Sequence, residues 1–191
     1  MKKIILIAST AIIFITACKN NNSKESNSQD NKEKVSTDTN NNEGSGQDIE
    51  KIKQQLMKLT PMSLDQIKAL IPETLMNYKK TKFEAAMSSG IGTTTAEYHP
   101  NDTTTITLNI YDCAGAAGAD IYDTQFTGLV MNVQQGSTKN IDIKGAKGFE
   151  HCENNDCTIT WFSGDRFIVT LLGDNTGSDM LKQAAQEINI K

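Results

Sequence analysis

The chain has 191 residues, a formal net charge of −4, two histidines and four cysteines. A polar, mildly acidic chain lacks the basic footprint that nucleic-acid binding needs, so nucleic acid is excluded as a natural partner. Two histidines leave little room for imidazole chemistry, and the scattered carboxylates offer no pair for acid–base work.

Met1-Lys2-Lys3 gives a positive start, residues 4–17 form an uncharged apolar run, and Thr16-Ala17 places small residues before Cys18. This layout reads as a secretory signal over residues 1–17, too short for a comfortable membrane span. Ending on Cys18, it resembles the lipobox of bacterial lipoproteins. The resemblance implies cleavage before Cys18, diacylglycerol on the Cys18 thiol and acylation of the new amino terminus. Two or three acyl chains on one residue anchor stably where a single chain does not. Among Gram-negative lipoproteins, Asp after the lipidated cysteine favours retention at the inner membrane; Lys19 therefore points to the outer membrane. The expectation is a protein of the cell envelope, held to the membrane through the lipid on Cys18.

Residues 18–47 comprise the lipidated cysteine and a low-complexity stretch of Asn, Ser, Lys, Glu, Asp, Gln and Thr, with Val35 its one large apolar residue. Such a composition buries too little surface to offset the entropy of ordering, so it reads as a disordered tether. A flexible coil of about 30 residues spans about 30 Å on average, enough to lift a domain off the lipid headgroups.

Periodicity begins near Asp48, and residues 48–191 suffice for one domain with a core. Ile49, Ile52, Leu56 and Leu59 recur at helical spacing over 48–59, with Asp48 as N-cap, until Thr60-Pro61 breaks the pattern. Ser63 and Gln66 fit a capping box that opens a second helix carrying Leu64, Ile67, Leu70 and Ile71. Residues 77–86 read as a strand whose lysines mark it as an edge. It returns over 93–99, with His99 in the turn that follows. Residues 104–111 alternate, with Ile106, Leu108 and Ile110 facing one way and threonines, Asn109 and Tyr111 the other. A small-residue stretch over 112–119 precedes a helical stripe of Tyr122, Phe126, Leu129, Val130 and Val133. Short strands follow at 140–144, 148–152 and 157–162. Residues 166–172, apolar on both faces, read as a central strand. Thr176 or Ser178 caps a last helix bearing Leu181, Ala184, Ala185 and Ile188. Short links between neighbouring strands favour antiparallel pairing. The expected fold is α+β: an antiparallel sheet of about six or seven strands with helices packed on one face. The run from Ile71-Pro72-Glu73-Thr74-Leu75 through Ala96-Glu97-Tyr98 to residues 106–112 resembles a class of small bacterial envelope proteins, and that resemblance implies no particular activity.

The cysteines carry the sharpest local chemistry. In an oxidising compartment Cys152 and Cys157, facing each other across a hairpin, are expected to form a disulfide. Cys113 is expected as a buried thiol. The competing assignment is a redox or metal-handling site from Cys113, His151, Cys152 and Cys157, whose spacing matches no recognised zinc pattern. Asp102-Thr103-Thr104 resembles an O-glycosylation acceptor motif of some bacterial secreted proteins, with Thr103 as the acceptor. No cofactor motif is present: Gly115–Gly118 lacks the order and the lysine of phosphate loops, and 173–179 lacks the EF-hand order. The favoured function is a membrane-anchored, non-enzymatic binding or interaction domain, its partner an envelope protein or small ligand.

Overall fold

The computed structural model describes residues 42–190, with side chains from Gln47 onward. The 1–17 signal, Cys18 and residues 19–41 of the tether lie outside the described residues. The elements run α1 (Asn42–Leu56), α2 (Leu64–Lys68), β1 (Thr74–Leu75), β2 (Tyr78–Ser88), β3 (Ile91–Asn101), β4 (Thr104–Asp112), α3 (Gly115–Gln134), β5 (Lys139–Ile143), β6 (Ala146–Glu153), β7 (Asp156–Ser163), β8 (Phe167–Asp174) and α4 (Ser178–Glu187).

The class is α+β with one antiparallel sheet, in the order β1-β2-β3-β4-β8-β7-β6-β5. It has eight strands rather than six or seven, because the two-residue β1 extends the edge beside β2. Two hairpin meanders meet at the β4–β8 pair, where Leu108 lies opposite Leu171 and Ile110 opposite Val169. The central position of β8 follows from its two apolar faces: Phe167, Val169 and Leu171 are fully buried on one side and Ile168 on the other.

A strand buried on both faces requires cover on both, and the helices divide accordingly, which corrects the expectation that they share one face. On one face α4 brings Leu181, Ala184 and Ala185 onto Ile106, Leu108, Ile159, Trp161 and Val169. On the other, Tyr111, Ile168 and Phe162 stand in one cross-strand row. Tyr122 and Phe126 of α3, and Leu56 of α1, pack over this row and Phe149. Beyond α3 the same face is polar. Thr95 Oγ donates to Asn109 Oδ1 at 2.7 Å, and the Thr160 and Thr170 hydroxyls lie 3.1 Å apart. This is a half-buried polar surface, with Thr160 itself buried, of the kind an antiparallel sheet tolerates.

Local chemistry explains the other differences. The α1 helix starts at Asn42, six residues early, in polar residues whose helicity no apolar period announces; Asp48 is therefore interior to it and caps nothing. The α2 capping box is present, Ser63 Oγ accepting from the Gln66 N–H and Gln66 Oε1 from the Ser63 N–H. For α4 the N-cap is Gly177, with no side-chain cap. Ser178 instead donates to Glu150 at 2.9 Å, and Thr176 to the Thr105 carbonyl at 3.3 Å. His99 lies within β3 rather than in a turn, its Nδ1 3.2 Å from the Thr105 hydroxyl. Among the described residues no helix is long and apolar enough to cross a membrane.

Candidate functional site

Where the two cores meet, around one end of the sheet, the fold leaves a cavity of about 620 Å³. Ligand pockets commonly hold about 300–1,000 Å³. Ile49 and Ile52 of α1 form one wall, and Tyr122, Phe126 and Val130 of α3 a second. Phe149, Trp161 and Phe162 supply the sheet side, and the β5–β6 turn, the β7–β8 turn and residues 188–190 close the rim.

The aromatic wall is ordered by its own packing. Tyr122 stacks on Phe126 at 4.7 Å between ring centroids and tilts against Phe162 at 4.6 Å, and Phe126 meets Phe149 edge-on at 5.5 Å. Such pairs contribute about 0.5–1.5 kcal/mol each beyond buried area, so the wall is preformed.

The rim carries charge of both signs, differently engaged. Lys144 Nζ donates to the Ile188 carbonyl at 2.8 Å, and Lys147 Nζ lies 5.4 Å from the Phe149 ring centre. Asp48 and Asp165 have no ion-pair or hydrogen-bond partner among the described residues. Tyr122 is only 2% exposed, and its hydroxyl likewise has no hydrogen-bond partner among the described residues. Among the described residues no fully buried side-chain oxygen or nitrogen goes unpaired, so this hydroxyl reaches accessible space, and Tyr122 lines the cavity. Burial raises the Tyr122 pKa, with further upward pressure from Cys113, Asp48, Asp123 and Asp165.

The walls are tied together at their base. Asp112, at the end of β4, is completely buried and accepts from Arg166 Nε at 2.7 Å and Nη2 at 2.8 Å. It also accepts from the backbone N–H groups of Met62 at 2.7 Å and Ala114 at 3.2 Å. Arg166 donates in addition to the Thr60 carbonyl at 2.9 Å. One carboxylate thus joins the linker after α1, the start of α3 and the β7–β8 turn. On the other side, Lys53 bridges α1 to α3 through Asp120 at 3.1 Å and Asp123 at 2.8 Å.

The residues singled out from sequence are dispersed. Cys152 and Cys157 are directly opposed in the β6–β7 pair and form a disulfide, Cα–Cα 4.1 Å. His151 precedes Cys152 on the strand and so points to the opposite face; its Nδ1 contacts the Ser137 carbonyl. Cys113 is a free, buried cysteine. Register places Cys157 opposite Gly173 and Gly173 opposite Ile106, seven residues along the chain from Cys113, on the order of 20 Å away. Burial pushes the Cys113 thiol up to about 12, the reverse of an activated thiol. The four residues of the redox or metal assignment therefore do not converge. Among the described residues no three His, Cys, Asp or Glu side chains are grouped to hold a metal ion. Thr103 is exposed in the β3–β4 turn, its hydroxyl donating to Asn101 Oδ1 at 2.9 Å.

The sequence marks Tyr122 as part of an apolar stripe and Asp48 as a cap, and leaves Asp165 between two expected strands. Nothing in their spacing announces that they share a cavity, since the three are brought together only by the packing of α1 and α3 on the sheet.

No protein-family model matches the chain, and no curated protein matches it. Among solved structures, a crystal structure described as a GTP binding regulator from Thermotoga maritima is similar at 12% identity. Its TM-score is 0.40, over 69% of this chain and 93% of that chain. A score that low carries no argument about fold or function.

Proposed function

We propose that this chain is a lipid-anchored protein of the bacterial envelope, on the outer membrane, whose domain binds a small ligand without transforming it. The anchor rests on residues 1–18: a positive start, an apolar run, small residues and Cys18. Binding rests on one observation, the preformed cavity of about 620 Å³ with an aromatic and aliphatic wall and a polar rim, the combination that small-molecule sites share.

Each half has its own test. For the anchor, cells expressing the protein are fed an alkyne analogue of palmitate. The wild-type chain takes up the label and Cys18→Ala does not; an unlabelled wild-type protein refutes the anchor. For the cavity, Trp161 is the chain's one tryptophan and lines it, so its emission reports occupancy. Full-length protein in phosphatidylcholine nanodiscs is titrated with 2-phenylethanol, with empty nanodiscs as blank. A saturable change in emission, lost in Val130→Phe where the ring fills the space and Trp161 stays the one tryptophan, supports the site. A response that never saturates, or that survives Val130→Phe, removes it.

A further inference from the structure

We propose that the cavity selects an organic cation, an ammonium or guanidinium group on an apolar body, with its charge seated between Asp48 and Asp165 beside the Tyr122 hydroxyl. This rests on the cavity being the ligand site and names what that site takes.

The argument is one of unsatisfied chemistry. Carboxylates only accept hydrogen bonds, and a phenol donates one and accepts others. Among the described residues, the cavity-lining side chains without a hydrogen-bond or ion-pair partner include Asp48, Asp165 and Tyr122; Asn189, also on the rim, offers both donors and acceptors, so it is the two carboxylates that are short of donors. An ammonium offers up to three N–H donors and a guanidinium five, and their charge answers the two carboxylates. Of the two lysines on the same rim, Lys144 donates to the Ile188 carbonyl, and an anionic ligand would have to draw it from that contact; Lys147 has no hydrogen-bond or ion-pair partner among the described residues and lies 5.4 Å from the Phe149 ring centre. The wall next to the acids is aromatic, Tyr122 with Phe126 and Phe162, and aromatic faces attract cations most strongly where water is excluded. Ile49, Ile52 and Val130 then give the apolar body of the ligand its surface. After burial and Cys113, Asp48 and Asp165 are among the groups that push the Tyr122 phenol up.

The experiment compares three probes of one shape and different charge: 2-phenylethylamine, 2-phenylethanol and phenylacetate. Each is titrated into the full-length protein in nanodiscs, and Trp161 emission is read. The amine is expected to bind about tenfold or more tighter than the alcohol, with phenylacetate weakest. In the Asp48→Asn/Asp165→Asn double variant the amine falls to the affinity of the alcohol. The alcohol itself stays within about twofold of wild type, which shows that the variant is folded. Tyr122→Phe weakens the amine alone. If the amine binds no tighter than the alcohol, or phenylacetate binds tightest, the cation assignment is overturned and the cavity remains a ligand site. If the amine's advantage survives the double variant, these carboxylates are not its seat. If none of the three binds, the ligand site falls and this assignment with it.

Discussion

Replacing Asp112 by alanine removes four hydrogen bonds at once and leaves the Arg166 guanidinium, whose side chain is 19% exposed, without its counter-charge. Removing one partner of a buried ion pair costs about 3–5 kcal/mol, because the remaining charge stays desolvated. The Met62 and Ala114 N–H groups lose their acceptor in the same step. Against a total stability of about 5–15 kcal/mol the loss is severe, and at about 2–4 °C per kcal/mol for a chain of this size it lowers Tm by about 6–20 °C. Urea unfolding followed by the emission of the buried Trp161 measures it. Arg166→Met and the Asp112→Ala/Arg166→Met double variant complete a cycle, in which the double loses less than the sum of the singles. Burial alone would raise the Asp112 pKa, but Arg166 and the Met62 and Ala114 N–H groups hold it below its usual value. A carboxylate with a depressed folded-state pKa contributes stability that is full above its unfolded pKa, near 4, and is lost as pH falls through the folded value. Wild type therefore loses stability below about pH 4 more steeply than Asp112→Ala does. A loss under about 1 kcal/mol, singles that simply add, or parallel acid limbs would each refute this account of the network.

Other substitutions test other parts of the structure. A Cβ on Gly118 would stand 2.4 Å from the Cys113 carbonyl carbon, so Gly118→Ala forces α3 off the end of β4. It should cost about 1–3 kcal/mol or more by urea unfolding, and a neutral result would contradict the close approach. The Cys152–Cys157 disulfide closes a short loop, so Cys152→Ser/Cys157→Ser should lose about 2 kcal/mol at most, with the β6–β7 register retained and the circular dichroism spectrum unchanged. Thr103→Ala should remove glycan increments from the intact mass of the protein expressed in a glycosylating bacterial host; an identical mass for wild type and variant, less the substitution, rules Thr103 out as acceptor.

How much of this was legible follows from what each signal depends on. The β4 strand was plain because Ile106, Leu108 and Ile110 alternate with polar residues, and alternation is a property of neighbours in the chain. The Cys152–Cys157 pair was plain because a hairpin makes near sequence positions into near spatial ones. The start of α1 at Asn42 was hidden because residues 42–47 hold no apolar residue to set a period. The two-residue β1 was hidden because it is too short to show one. The Asp112–Arg166 pair spans 54 positions and obeys no spacing rule. It was invisible for the same reason it is useful, since it joins segments that only the finished fold brings together.

The second helical face shows how a site can be implied by residues that do not themselves reveal it. The 166–172 run was readable as apolar on both sides, and Ile168 on the reverse side needs company. Cross-strand pairing supplies it from Tyr111 and Phe162. One row further, the same face turns to Asn109, Thr170 and Thr160 and then, on β6, to Phe149. The apolar positions α3 can cover on this face therefore run from the end where β4 stops and β8 begins across to β6. A helix of 20 residues, about 30 Å long, is long enough to reach from that row to β6. There Phe126 and Val130 meet Phe149 and the β5–β6 turn from one side, while Ile188 and Ile190, following α4, reach the same rim from the other. The volume left at that end, between Ile49 and Ile52 of α1, the α3 side chains, the two turns and residues 188–190, is the cavity.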